Sequence, residues 1–210
     1  MNLQSLLLDA VMIAIFLGVA FPVHEFAHAL VAYIRGDATA KLFGRLTLNP
    51  VVHFDPVGGL MTVISIFLGG FLIGWAKPTP VNPNNLRDRR NDEVLVALAG
   101  PASNLLMAVL GAIVVRIVVA SHVNLPELVA LGLVNFVVFN VMLAIFNLIP
   151  IPPLDGANLL FRFLPLRLAW QLRPFLAQYG IFILLGFVLL ASRVLSGLVY
   201  GVAFSLMGLG

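Results

Sequence analysis

Apolar residues fall along this chain in long blocks separated by short polar breaks, and the blocks have the length of membrane-crossing helices. The first runs from about Leu3 to Ile34 and is interrupted by Asp9 and by Pro22-Val23-His24-Glu25-Phe26-Ala27-His28. A polar stretch from Arg35 to Pro56 follows. Within it, Ala40 to Leu48 alternates in a way that predicts a short β-ribbon at the membrane surface. Val57 to Trp75 is apolar and glycine-rich, and Ala76 to Asp92 is a loop dense in proline and asparagine. Two further spans are predicted at Glu93 to Ala120 and Leu128 to Ile149, split by the polar break Ser121 to Glu127. Asn147 to Gly156 is a proline-rich break, and Ala157 to Pro174 reads as amphipathic. Phe175 to Leu209 provides one long or two short spans. The pattern predicts an all-α polytopic membrane protein of about 4–6 transmembrane helices, with no internal repeat.

Composition points the same way. Of 210 residues 61% are hydrophobic and 10% charged, and the mean hydropathy is +1.07. So few charges cannot cover a water-soluble globule, and so apolar a chain is not disordered. The net charge of +3 does not indicate nucleic acid, because ten of the twelve lysines and arginines cluster between apolar blocks. With no cysteine, any bound metal must use His, Asp or Glu. The first block exceeds the apolar core of a signal peptide and is expected to be retained. The length is expected to hold a single membrane-embedded domain, residues 1–210, without an appended soluble domain.

Charge placement constrains topology. The clusters are Arg35, Lys41 and Arg45; then Lys77, Arg87, Arg89 and Arg90; then Arg162, Arg167 and Arg173. Excess positive charge favours the cytoplasmic side. All three clusters satisfy this if Val57 to Trp75 enters and leaves on one face as a re-entrant hairpin, which its five glycines favour. The N-terminus then faces outward, and the polar motifs lie near the cytoplasmic helix ends.

His24-Glu25-Phe26-Ala27-His28 has the form H-E-x-x-H. On a helix, residues i and i+4 share a face, so two imidazoles can bind one zinc ion while Glu25 serves a metal-activated water as base. Three ionisable groups in an apolar helix are costly unless paired, metal-bound or facing a cavity. Catalytic zinc takes a third protein ligand. The candidates are His53, Asp55, His122 and Asp155, with His122 in the loop assigned to the far side. Asp155 closes Asn147-Leu-Ile-Pro150-Ile-Pro152-Pro153-Leu154-Asp155-Gly156, whose prolines cannot continue a helix. His53 is expected mainly to order its own loop with Asp55 and Pro56. Asn104 is expected to satisfy backbone groups freed by Pro101.

These motifs together resemble the site-2 protease family of intramembrane zinc metalloproteases. H-E-x-x-H at His24 to His28 and N-x-x-P-x-P-x-x-D-G at Asn147 to Gly156 stand in the right order, with Ala99-Gly100-Pro101-Ala102-Ser103-Asn104 as a third landmark between them. The resemblance covers about Phe21 to Arg162 and is to a compact prokaryotic form without PDZ or CBS domains. It implies one catalytic Zn2+ held by His24, His28 and Asp155, with Glu25 as catalytic base and Asn147 near the scissile bond. It implies an intramembrane endopeptidase of a prokaryotic inner membrane with transmembrane proteins as substrates, and the charge placement puts its site toward the cytoplasm. A catalytically silent relative that binds membrane proteins, or a transporter, are the alternatives. Nucleic acid is not an expected partner, and the oligomeric state stays open.

Overall fold

The computed structural model describes residues 14–60 and 77–210. Asp9 and most of the Val57 to Trp75 segment, with its expected re-entrant course, lie outside the described residues. A π-helical turn at Phe16–Ala20 runs, with Ala20 still in helical conformation, directly into helix α1 (Phe21–Ile34), which carries Pro22 near the junction. Short helices α2 (Thr39–Leu42) and α3 (Pro50–His53) follow, then helical residues 56–60. Beyond a 3-10 turn at Pro83–Asn85 lie α4 (Arg89–Ala120), α5 (Glu127–Asn147), α6 (Gly156–Phe163) and α7 (Leu166–Met207). Among the described residues, four helical stretches are long and apolar enough to cross a membrane: Leu17–Ile34, Arg89–Ala120, Glu127–Asn147 and Leu166–Met207. At 1.5 Å per residue α4 and α7 run about 48 and 63 Å, against a hydrocarbon core of about 30 Å. Their ends, with Arg89, Arg90, Arg167 and Arg173, therefore project beyond it.

Ala40 to Leu48 forms no ribbon. The Asp37 carboxylate accepts the Thr39 N–H and hydroxyl and turns the chain into α2. Gly44, at φ +68°, then reverses it in a left-handed conformation open to glycine. The alternation of that stretch has no partner strand to pair with among the described residues. The second half of the chain also departs from expectation. Leu164 is extended before Pro165, where a helical conformation would clash with the proline ring. Helix α7 begins at Leu166 and runs uninterrupted through Pro174, so Arg167 and Arg173 share one helix with the last span, while Arg162 stands on α6.

The far half of the bundle is held by close packing of small and β-branched side chains. Ala108, Ala112 and Val115 of α4 meet Val137, Val138 and Val141 of α5 and Val199, Ala203 and Met207 of α7. In lipid the drive for such packing is contact and close backbone approach rather than water release. Gly111 permits that approach, since a methyl group there would lie 2.8 Å from the Phe136 ring. Arg116, solitary in its apolar block, donates to the carbonyls of Leu206 (2.6 Å) and Ser205 (3.0 Å). It thus places a positive charge on carbonyls at the negative end of α7.

All three basic clusters gather at the opposite end. The Arg35 carbonyl accepts the Arg87 N–H at 3.0 Å, and the Arg35 guanidinium pairs with fully buried Asp92 at 2.6 Å. Arg162 reaches Asn91 at 2.9 Å. The chain therefore leaves α1 and enters α4 at one end of the bundle, and residues 53 and 77 adjoin through a 3.0 Å bond from the Lys77 N–H to the His53 carbonyl.

Asp37 ties this end together, accepting from the Asn82 N–H at 2.7 Å and the Asn85 amide at 3.0 Å as well as from Thr39. Burial opposes its ionisation, but these donors outweigh burial and hold its carboxyl below the usual aspartate range. A carboxyl group depressed in the folded state adds stability that is present above its unfolded pKa and is lost as pH falls through the folded value. Amide exchange at Thr39 and Asn82, followed by mass spectrometry or NMR, should therefore accelerate as pH is lowered below about 4, beyond the intrinsic pH dependence of exchange. Asp37→Asn should remove that extra step.

Candidate metal centre

Helix α1 places His24 and His28 one turn apart on a single face, turned into the bundle, with only 3% and 7% of their surface exposed. The break after α5 brings Asp155 to them from 127 positions further along the chain than His28. This break is packed tightly on both sides. A methyl group on Gly156 would lie 2.3 Å from the Leu148 carbonyl oxygen, and one on Gly180 of α7 2.6 Å from that of Pro152. Room for the imidazoles comes from α4, where Gly100 faces them. A methyl group there would be 2.3 Å from His28 Nε2 and 2.5 Å from His24 Cε1.

Three atoms converge. His24 Nε2 and His28 Nε2 are 3.0 Å apart, and Asp155 Oδ2 lies 3.3 and 3.2 Å from them. The surrounding bonds decide where the imidazole protons reside. His28 Nδ1 is 2.6 Å from the Val96 carbonyl, which can only accept, so this nitrogen is the donor. His24 Nδ1 is 2.6 Å from Asn104 Oδ1. The Asn104 amide cannot be reversed, because its nitrogen donates to the Ala20 carbonyl at 3.2 Å and to Asn140 Oδ1 at 3.0 Å. Asn140 in turn donates to the Phe136 carbonyl at 2.9 Å. In neutral imidazoles both Nε2 atoms are then bare lone pairs, facing each other and a carboxylate oxygen.

Asp155 Oδ2 is buried and has no hydrogen-bond donor among the described residues. Three electron-rich atoms in such proximity repel unless a cation lies among them. Ligands at 2.0–2.1 Å from a tetrahedral ion stand about 3.3 Å apart, close to the spacings here. The residues fit one divalent metal with a position left open, and they form the sole such group of His, Cys, Asp or Glu among the described residues.

Glu25 adjoins His24 in sequence but is not in this group. Its side chain is buried, and Oε2 accepts the N–H of Thr79 at 2.8 Å. Asn147, at the end of α5, donates to its own helix at the Leu143 carbonyl, 3.0 Å away. The other third-ligand candidates fall elsewhere. His53 donates through Nε2 to the Thr47 carbonyl at 2.8 Å, so it orders its loop through Thr47 rather than through Asp55. Asp55 caps helical residues 56–60 by accepting from Val57 and Gly58, both at 2.9 Å. His122 lies beyond the far end of α4, at φ +48°.

Asn104 differs from expectation. Instead of serving backbone freed by Pro101, it bonds the carbonyl that ends the π-helical turn and orients His24. Asn140 and Thr79 were not singled out from sequence. For Asn140 a signal existed, an amide within an otherwise apolar span, where polar side chains seek partners on neighbouring helices.

Two substitutions separate the cavity from the orienting bond. Gly100→Ala should abolish stoichiometric Zn2+ binding by displacing the imidazoles. Asn104→Leu should weaken it about 10–100-fold, the usual cost of losing a hydrogen bond behind a ligating histidine. Competition with a chromophoric chelator measures both.

Comparison with known proteins agrees with this geometry. Residues 12–130 match peptidase family M50, a span that contains His24, His28, Gly100 and Asn104 and ends before Asn147 and Asp155. The Bacillus subtilis protein named "Putative zinc metalloprotease YwhC" is 42% identical over 151 residues, covering 70% of this chain and 66% of that protein. "Putative zinc metalloprotease Rip2" of Mycolicibacterium smegmatis is 36% identical over 63% of this chain and 49% of its own length. Rip2 of Mycobacterium tuberculosis H37Rv is 30% identical over 91% and 71%. The chain thus spans about half to two thirds of the length of the first two relatives. No solved structure matches it. A match across more than half the chain, carrying both histidines and the residues that make room for and orient them, establishes that it belongs to peptidase family M50.

Proposed function

We propose that this protein is an intramembrane zinc endopeptidase of the site-2 protease type that hydrolyses peptide bonds of transmembrane proteins. The observation that carries the proposal is the convergence of His24 Nε2, His28 Nε2 and Asp155 Oδ2 within 3.3 Å, with both Nδ1 protons committed elsewhere. The names of the relatives support zinc as the metal, and the apolar helices support a membrane setting.

When bound, zinc would polarise the scissile carbonyl and acidify water. His24, His28 and Asp155 hold it, and Asn104 keeps His24 in the ligating tautomer. Glu25, one residue from His24, takes the proton of the attacking water and returns it to the leaving amine. Asn147 lies at the end of α5, where the break carrying Asp155 begins, and its amide is the donor proposed for substrate backbone or the developing oxyanion. The active site lies near the basic end of the bundle. His28 stands seven residues before Arg35, about 10 Å along the helix. By the preference of positive charge for the cytoplasm, that end faces inward, where water reaches the site.

Replacing Glu25 by Gln should leave one Zn2+ per chain, by elemental analysis, and lower cleavage of a tagged single-span membrane polypeptide by about 10²–10⁴-fold. Loss of zinc in this variant, or unchanged cleavage, would contradict the role of base. Topology has its own test, made simple by the absence of cysteine. A cysteine introduced at exposed Asn84 should react with a membrane-impermeant maleimide only after the cells are permeabilised. Labelling of intact cells would place the basic end outside.

A further inference from the structure

The carboxylate proposed as base is held by a residue 54 positions away. Residues 77–82 run as an extended strap past α1. Both ends of the strap are tied independently of Glu25, the Lys77 N–H to the His53 carbonyl (3.0 Å) and the Asn82 N–H to Asp37 (2.7 Å). Between these ties the sequence is Pro78-Thr79-Pro80-Val81. The prolines have no N–H, so Thr79 alone among residues 78–80 can donate from its backbone, and that N–H points at Glu25 Oε2 at 2.8 Å. The Thr79 hydroxyl donates in addition to the Glu25 main-chain carbonyl at 3.1 Å. One residue therefore grips both the tip of the glutamate and its backbone. Together the two bonds set the height and the plane of the carboxylate relative to the helix that carries His24 and His28.

We infer that Thr79 is a positioning residue for the general base Glu25, and that the strap ending at Asp37 and His53 exists to present it. A free glutamate side chain samples several rotamers, and a base displaced by about 1 Å can lose a hundredfold in rate. A donor fixed by rigid neighbours removes that freedom before substrate arrives. The inference rests on the endopeptidase reading given above.

The test uses the purified full-length chain in detergent, with a fluorescently tagged single-span polypeptide carrying a Gly-Pro pair in its helix as probe. Thr79→Val keeps the N–H and removes the hydroxyl, whereas Thr79→Pro removes both donors. Thr79→Pro should lower kcat about tenfold to a hundredfold and Thr79→Val severalfold, each with KM and zinc content at the wild-type level. Thr79→Ser, which keeps both donors, should recover the kcat lost in Thr79→Val. Should Thr79→Pro fail to fold, the Val and Ser pair decides alone. A wild-type kcat in Thr79→Val, a raised KM with unchanged kcat, or loss of zinc in step with kcat would each overturn the assignment. Wild-type protein that cleaves the probe no better than Glu25→Gln would overturn the endopeptidase reading itself, whereas a cleaving wild type with indifferent Thr79 variants overturns only this inference.

Discussion

Three lone pairs share one small volume in the interior of this bundle, and nearly every other feature around them follows from that constraint. Two imidazole nitrogens and a carboxylate oxygen within 3.3 Å of one another are stable only around a positive charge. Proximity alone would not suffice, because an imidazole that rotates or changes tautomer presents a proton instead. The Val96 carbonyl and the Asn104–Asn140 pair prevent this by occupying both Nδ1 protons. The chain of amides ends on backbone carbonyls of Ala20 and Phe136, which cannot donate, so its direction is unambiguous. Buried amides of this kind are tolerable because each has its partner.

The helices are arranged to serve that volume. α1 supplies the two imidazoles, and α4 supplies the space at Gly100 and the orienting Asn104. α5 supplies Asn140 and then unwinds into the break that carries Asp155, which α7 supports from behind at Gly180. The far end of the bundle, packed with alanine and valine, acts as the rigid base for this arrangement. At the basic end the links are polar instead: Arg35 with Asp92, and Asp37 with the strap. Those bonds fix the loop that reaches back to Glu25.

Membership of peptidase family M50 and the geometry of the site bear on one another. The family match covers the helix with both histidines and the helix that orients them, but ends before Asp155. The fold brings Asp155 to the two histidines from a segment outside the matched span.

Much of this was legible in the residues themselves. The spacing of His24 and His28 implies a shared helix face, because helical periodicity is a local property. The apolar blocks reveal the spans by the same logic, and the prolines of residues 150–153 announce a break where a carboxylate can leave the helix ladder. Where the alternation of apolar residues misled, other local bonds and backbone conformations decided. The alternation of Ala40 to Leu48 suited a ribbon, but Asp37 and Gly44 turn it into a short helix and a reversal. Pro174 suggested a boundary that α7 simply passes through. Sequence alone thus singled out His24, Glu25, His28 and Asp155 as candidates, since such residue types are rare in an apolar chain. Only the tertiary structure decided which nitrogen of each histidine faces the metal position and what holds Glu25. Those roles fall largely to backbone carbonyls and a backbone N–H, groups that nearly every residue possesses and that no residue pattern can therefore mark.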